Sequence, residues 1–296
     1  MASASDRPES LAPGRLGVYA EGLLSGAELP MFSARMIELL GLELEKPTAA
    51  RRLFELVAED YALACNVLRL ANSFQYNRSN RAVESLSLAI VMLGAATVRN
   101  IASTLVCTQA SGPSSATLQR LMNRSIVSAH VALALADDLN VDRESAYLSG
   151  MLQNMGEVLV AHRSPVDHKA IQEQVKAGTP REAAAVKQLT FTYDHLARVV
   201  GRYWKLSPTV CALWHPDLAA TDLMRLARFA SELSRVMFET EAERLDNAIT
   251  LLVMRHGATF GLTVESLRDV WAQAVGETRA MFETVGMPTS PLDFAA

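Results

Sequence analysis

Two neutral amides, Gln153 and Asn154, interrupt a segment that otherwise has the spacing of a buried helix face. Between residues 144 and 161, apolar side chains recur at i, i+3, i+4 and i+7, which predicts a largely buried helix. Gly150 and Gly156 lie in the same segment, and a helical glycine costs roughly 1 kcal/mol relative to alanine unless close packing requires it. The two amides are therefore either hydrogen-bonded structural groups or the remnant of a site.

Other residue types with chemical potential form no recognisable pattern. The six histidines contain no His-Glu-x-x-His motif and no pair at i, i+4, the spacing that presents two zinc ligands from one helix. Cys65, Cys107 and Cys211 are odd in number and form no Cys-x-x-Cys pair, which is typical of buried cysteines in a reducing compartment. Neither a Gly-x-Ser-x-Gly elbow nor a glycine-rich phosphate loop occurs. Nucleophilic catalysis and nucleotide hydrolysis by a P-loop are therefore disfavoured.

Composition sets the class of protein. The 296 residues are 50% hydrophobic, enough for one or two well-packed domains. There is no apolar run of about 18 residues and no basic region followed by an apolar one at the N-terminus. We therefore expect a cytoplasmic protein that does not contact membranes. Lys and Arg total 28 against 32 Asp and Glu, with mixed signs and a net charge of -4, which disfavours nucleic-acid binding.

The sequence pattern predicts helices along the whole chain. No stretch alternates convincingly as a strand, and no Asn-Gly or Asp-Gly hairpin turn exists, so we predict an all-α fold. Ser85, Asp142 and Ser207 are predicted N-caps because each precedes a helical pattern. A Ser-Gly-Pro-Ser-Ser linker at residues 111–115 divides the chain. We predict a mobile tail at 1–20, helical halves at about 21–110 and 116–216, and a packed C-terminal helical extension at 217–296.

Two polar stretches are further candidate contact sites. Asn72 and Ser73 follow an apolar helical pattern and either terminate that helix, with Asn72 in left-handed geometry, or contact a ligand. Residues 77–81 form a polar loop that carries Arg78 and Arg81. This loop is either a solvated connection, as most polar surface loops are, or a small site for an anion or a partner.

Several motifs occur in a consistent order along the chain. They are Leu29-Pro30, Leu-Arg-Leu-Ala-Asn-Ser at 68–73, Ser-Leu-x-x-Ala-Ile-x-x-Leu-Gly at 85–94, His195 with Gly201, Trp204 with Leu206 and Pro208, and His215. Together with the Gly-Met-Leu-Gln-Asn-Met-Gly stretch at 150–156, they resemble the HDOD family, the HD-related output domain of bacterial signalling proteins. The resemblance spans roughly residues 22–216 and implies a helical HD-like bundle in two halves.

The resemblance also identifies the positions of the former catalytic site. In HD enzymes a His-Asp doublet binds a divalent metal that activates water for phosphate-ester hydrolysis; here Gln153 and Asn154 stand in its place. The first metal-binding histidine corresponds to Arg124, and the last aspartate to Ala230 or Ser231. A guanidinium cannot ligate a cation. The resemblance therefore implies a vestigial site at Arg124, Gln153 and Asn154 that has no metal, no cofactor and no catalytic residue.

The preferred functional hypothesis is a non-enzymatic bacterial signalling module that docks a protein partner in trans. A homo-oligomer is compatible with it. The candidate ligand or partner contacts are Asn72, Ser73, Arg78, Arg81, His195, Trp204 and His215. The two histidines have an alternative interpretation as packed structural residues near Trp204 and Trp214. The alternative function is a degenerate phosphohydrolase, or a regulator that binds a nucleotide or cyclic dinucleotide through Arg124, because arginine binds phosphate bidentately.

Overall fold

The computed structural model describes residues 14–24, 49–73, 76–77, 82–95, 97–98, 116–204, 206–215 and 218–284. Every regular element within these ranges is a helix, which confirms the all-α prediction. The α-helices are α1 (Arg15–Leu24), α2 (Ala49–Ala58), α3 (Tyr61–Ala71), α4 (Leu86–Leu93), α5 (Ala116–Ala134), α6 (Arg143–Leu152), α7 (Met155–Arg163), α8 (Pro165–Lys176), α9 (Arg181–Leu189), α10 (Tyr193–Tyr203), α11 (Pro208–Ala212), α12 (Asp222–Glu239), α13 (Ala242–Phe260) and α14 (Val264–Thr284). A 3-10 turn, Asp137–Leu139, lies between α5 and α6.

Local side-chain caps fix where several helices begin. The Ser85 hydroxyl accepts a hydrogen bond from the Leu88 amide at 3.1 Å, and the Asp142 carboxylate accepts one from the Ser145 amide at 2.8 Å. The Ser207 hydroxyl caps α11 in the same way. Each cap satisfies an amide that has no partner within its own helix. The three predicted caps are therefore confirmed.

Helix α5 is the central element of the described core. It packs against α3, α6, α7, α12 and α14. Although most of its buried side chains are apolar, Asn123, Arg124 and Ser128 are buried among them. Helix α12 also packs against α6, so the region after residue 217 contributes directly to the surroundings of the former catalytic positions.

The glycines around the amide pair are required by close packing. A Cβ on Gly150 would lie 2.7 Å from the Ser128 carbonyl oxygen of α5, and one on Gly156 would lie 2.0 Å from the Tyr193 carbonyl oxygen of α10. Real Cβ atoms do not approach that closely, so both neighbours would have to move. These contacts confirm the prediction that close packing against neighbouring helices requires residues without a side chain at these two positions.

Some predicted boundaries differ from the structure. The single helix predicted over 144–161 is wrong in one respect: α6 ends at Leu152 and α7 begins at Met155, so Gln153 and Asn154 form a turn between them. Helix α1 begins at Arg15, inside the stretch for which a mobile tail was predicted. Arg78, Arg81, Leu29-Pro30 and the predicted linker lie outside the described residues. Within the described ranges, no helix combines the length and apolarity that crossing a membrane requires.

Candidate functional site

Glu157 is the centre of a buried polar cluster. It lies one helical turn after Asn154 on α7, and only 1% of its side chain is exposed. Its Oε2 pairs with the guanidinium groups of Arg124 and Arg181. Its Oε1 accepts a hydrogen bond from Gln172 at 3.1 Å and lies 3.4 Å from His168 Nε2. Both carboxylate oxygens are therefore fully engaged.

Arg124 is held from two sides. One terminal nitrogen pairs with Glu157 and the other with Glu239 of α12, while the side chain itself is 1% exposed. Burial alone would raise the pKa of Glu157, but the guanidinium groups of Arg124 and Arg181 and the His168 contact hold that pKa well below its usual range. Two guanidinium groups and two carboxylates thus form a charge-balanced cluster in which Arg124 is fixed.

The amide turn is held by partners from later parts of the chain. Asn154 Oδ1 accepts a hydrogen bond from the Ser231 hydroxyl of α12 at 2.7 Å. The Gln153 carbonyl accepts one from the indole of fully buried Trp214 at 3.3 Å. Gly201 makes room for that indole, since a Cβ there would lie 2.9 Å from it. The structure therefore brings together Gln153, Asn154 and Ser231, three of the positions that the resemblance assigned to the former site.

A cavity of about 330 Å³ opens beside this turn. Its lining residues are Gln153, Asn154, Pro180, Arg181, Glu182, Asp194, Arg228, Ser231, Glu232 and Arg235. Arg124 is not among them, because its guanidinium is directed to Glu157 and Glu239. The described lining of the cavity therefore consists mainly of arginines, carboxylates and amides, without a histidine or a cysteine.

Asp194, in the first turn of α10, has a raised pKa. Burial and the nearby Glu182 raise the pKa of Asp194 to about 6, against the opposing effect of Arg181, Arg228 and Arg198. The cavity wall thus carries one carboxyl group that changes its charge close to neutral pH.

The former catalytic positions do not fit a divalent metal. In the part of the chain that the structure describes, no group of three or more His, Cys, Asp or Glu side chains could hold a metal ion. Asn154 offers a neutral oxygen that already accepts from Ser231, and the guanidinium of Arg124 is held by Glu157 and Glu239. A guanidinium has only donors and repels a cation.

Asn72 and Ser73 have structural contacts at the end of α3. The Asn72 side-chain amide donates to the Leu68 carbonyl at 2.9 Å, and its Oδ1 accepts from the backbone amide of Val83 at 2.8 Å. Asn72 is only 1% exposed. The backbone of Asn72 is right-handed, with φ −85°, so the left-handed geometry proposed from the sequence is wrong. The Ser73 hydroxyl donates to the Leu70 carbonyl.

His195, Trp204 and His215 lie on or after α10. His195 closes a capping box with Thr192 at the start of α10. Trp204 is 9% exposed, and the Arg69 guanidinium lies 5.8 Å from the centre of its ring. His215 lines a second cleft of about 340 Å³. Its other lining residues in the described part of the chain are Arg202, Leu206, Pro208, Cys211, Ala212 and Leu218.

Sequence reasoning missed Glu157 and its partners. One signal was available: Glu157 stands in the apolar sequence Met-Gly-Glu-Val-Leu-Val, and a lone carboxylate on a buried helix needs a charged partner. The other members of the cluster gave no such signal, because Arg181 lies 24 residues from Glu157 and Glu239, which pairs with Arg124, lies 115 residues from Arg124.

Comparison with known proteins agrees with this helical arrangement. The family model of the HDOD domain matches residues 29–216. The chain belongs to the HDOD family. No curated protein matches its sequence significantly.

Two solved structures share the fold of this HDOD protein. The response regulator MmoQ from Methylococcus capsulatus str. Bath is 17% identical, with a TM-score of 0.58, and the match covers 91% of this chain and 98% of that one. A virulence factor from Campylobacter jejuni subsp. jejuni is 15% identical, with a TM-score of 0.62, over 89% of this chain and 96% of that one. At such identities the likeness concerns the fold alone.

Proposed function

We propose that this HDOD protein is a non-catalytic bacterial signal-transduction module that acts by binding a protein partner in trans. The observation that carries the proposal is the buried ion pair between Arg124 and Glu157. It supports the absence of catalysis because Arg124 stands where the resemblance assigns the first metal ligand of HD hydrolases. The name of the MmoQ neighbour, a response regulator, is consistent with a signalling role.

The chemistry of hydrolysis supports the same conclusion. Metal-dependent hydrolases use a bound cation to lower the pKa of a water molecule and to stabilise charge on the phosphate. Here the guanidinium of Arg124 is held by Glu157 and Glu239, so displacing it to admit a cation would break both ion pairs. Gln153 and Asn154 supply only neutral oxygens, which are weak ligands for a transition metal.

The cleft that contains His215 is the proposed partner surface. Leu206, Pro208 and Ala212 form apolar parts of its lining, and Leu218 at its edge is 48% exposed. Exposed apolar groups bordered by polar ones are typical of protein interaction sites, and Arg202 and His215 lie in the same lining.

The first test is metal content and turnover. The full chain, purified without chelators, is analysed by plasma mass spectrometry and assayed with nucleotides and cyclic dinucleotides in the presence of Mg²⁺ or Mn²⁺. We expect no stoichiometric transition metal and no turnover. A stoichiometric metal together with hydrolysis would overturn the non-catalytic proposal.

The second test concerns the partner. The full chain is used as bait in extracts of its native cell, beside Leu218→Glu in the cleft and Leu251→Glu on α13, where Leu251 is 58% exposed. We expect a partner that binds the wild type and Leu251→Glu but not Leu218→Glu. Loss with both variants, or with neither, would exclude the cleft, and no specific partner for any bait would contradict the docking function.

A further inference from the structure

The cavity beside Asn154 has the size and polarity of a small-molecule site. Its volume of about 330 Å³ lies at the lower end of the range usual for ligand pockets, roughly 300–1,000 Å³. Its lining comes from the Gln153–Asn154 turn and from the beginnings of α9 and α10, with α12 closing the remaining side. Four separate parts of the chain therefore converge on one polar space.

Three polar atoms in this lining have no hydrogen-bond partner among the described residues. They are Asn154 Nδ2, Arg181 Nε and Gln153 Oε1. Asn154 is only 5% exposed, and its other polar atom, Oδ1, is already used by Ser231. All three atoms are buried from solvent, so they make the wall of the cavity polar but do not contact a ligand directly in this conformation.

Two arginines in the lining have charges that the described protein does not neutralise by close pairing. Neither Arg228 nor Arg235 lies within 4.0 Å of a carboxylate oxygen in the described ranges, whereas Arg181 is paired with Glu157. Arg228 is oriented by a hydrogen bond to the His215 carbonyl at 3.1 Å. Burial and the neighbouring Arg181 lower the pKa of Arg235, against the opposing effect of Glu239 and Glu232.

The three carboxylates of the lining differ in how available they are. Glu232 is bound by Arg255 at 2.5 Å and by His256 at 3.0 Å. Asp194 and Glu182 have no such partner among the described residues and can accept hydrogen bonds from a ligand. The cavity therefore offers cationic donors on α12 and carboxylate acceptors on α9 and α10.

We propose that this cavity binds a small phosphate ester that also carries hydroxyl donors. Arg228 and Arg235 bind the phosphate, as arginines do in bidentate fashion. Asp194 and Glu182 accept from the hydroxyl groups of the ligand. Arg124 takes no part, because Glu157 and Glu239 hold it. The site involves binding only, and it does not depend on the proposed protein partner.

Calorimetric titration of the full chain in phosphate-free buffer tests this site. The probes are inorganic phosphate, adenosine 5′-monophosphate, glucose 6-phosphate and, as the unphosphorylated control, adenosine. We expect saturable binding of one of the two esters, weakened at least about tenfold in Arg235→Gln. Arg225→Gln is the matched control, because Arg225 lies on the same helix but pairs with Asp222 at the surface. Arg228→Gln removes the second positive charge and should also weaken binding. Thermal melting verifies that each variant is folded.

The outcomes distinguish a nucleotide, a sugar phosphate and free phosphate as ligands of the cavity. Preference for the nucleotide or for the sugar phosphate identifies which ester chemistry fits, and either supports the proposal. Inorganic phosphate bound as tightly as both esters overturns the role of Asp194 and Glu182. No saturable binding by any phosphate compound up to about 10 mM, or equal binding by wild type and Arg235→Gln, overturns the site itself. None of these results depends on partner capture, so the two proposals fail separately.

Discussion

Arg124 of α5 and Glu157 of α7 form an ion pair in which each side chain is only 1% exposed. Such a pair is compensated as long as both charges are present, but removal of one partner leaves the other buried and uncompensated. Because Glu157 also pairs with Arg181, its carboxylate connects α5, α7 and α9. Arg124 and Glu157 are therefore structural links between these helices.

Glu157→Gln is expected to destabilise the protein by about 3–5 kcal/mol, because Arg124 and Arg181 would lose their shared counter-charge. Urea unfolding followed by circular dichroism measures the free energy of unfolding. The control is Asp137→Asn, which breaks the exposed pair with Arg143 and should cost less than about 1 kcal/mol. Equal effects of the two substitutions would show that the buried cluster contributes no special stability.

The pH dependence of stability should have opposite contributions from Glu157 and Asp194. The folded-state pKa of Glu157 is lowered, so its contribution is present above its usual value of 4.5 and is lost as the pH falls through the folded-state pKa. The folded-state pKa of Asp194 is raised from 3.8 to about 6, so folding disfavours its ionised form above that pH. The contribution of Asp194 therefore becomes more favourable as the pH falls from 7 towards 4.

Asp194→Asn should accordingly raise the melting temperature at pH 8, and the difference from wild type should shrink below pH 6. The charged groups that act on Asp194 are Glu182, Arg181, Arg228 and Arg198, and all of them remain in the variant. Asp246→Asn, at a site 82% exposed, is the control and should give no comparable gain. A lower melting temperature for Asp194→Asn at pH 8 would contradict the sign argued here.

Local features of this fold could be predicted from sequence, because their causes lie within a few residues. Ser85, Asp142 and Ser207 each bond an amide three positions ahead. The break between α6 and α7 was missed because the apolar spacing continues through Gln153 and Asn154, so periodicity alone indicated one helix.

The site was only partly predictable for a related reason. The resemblance identified Gln153, Asn154 and either Ala230 or Ser231, and Ser231 does contact Asn154. It gave no direction for the side chain of Arg124. That direction depends on Glu157 and Glu239, which lie 33 and 115 residues away along the chain. A single sequence contains no pattern that joins residues at such separations.

Gly156→Ala should destabilise the protein by about 3 kcal/mol, the upper part of the range for overpacking, because its Cβ would lie 2.0 Å from a backbone oxygen of Tyr193. Backbone atoms cannot rotate away as a flexible side chain can. Gly276→Ala on α14 is the matched control: no atom lies within 4 Å of its Cβ, so a gain of up to about 1 kcal/mol is expected from helix propensity. Chemical unfolding measures the free energy of unfolding of both variants. If Gly156→Ala is as stable as the wild type, α7 and α10 are not packed as closely as described.

Asn72→Ala tests whether this candidate contact residue is structural. Its side chain joins the end of α3 to Val83, and its removal leaves the buried Val83 amide without that acceptor, at a cost of about 1–3 kcal/mol. Hydrogen exchange followed by NMR should show faster exchange at the Val83 amide, which a purely ligand-binding role would not cause. The control is Thr250→Ala, where an exposed hydroxyl donates to the Asp246 carbonyl and the effect should stay within about 0.5 kcal/mol. Unchanged stability and unchanged exchange in Asn72→Ala would instead free Asn72 for ligand or partner contact.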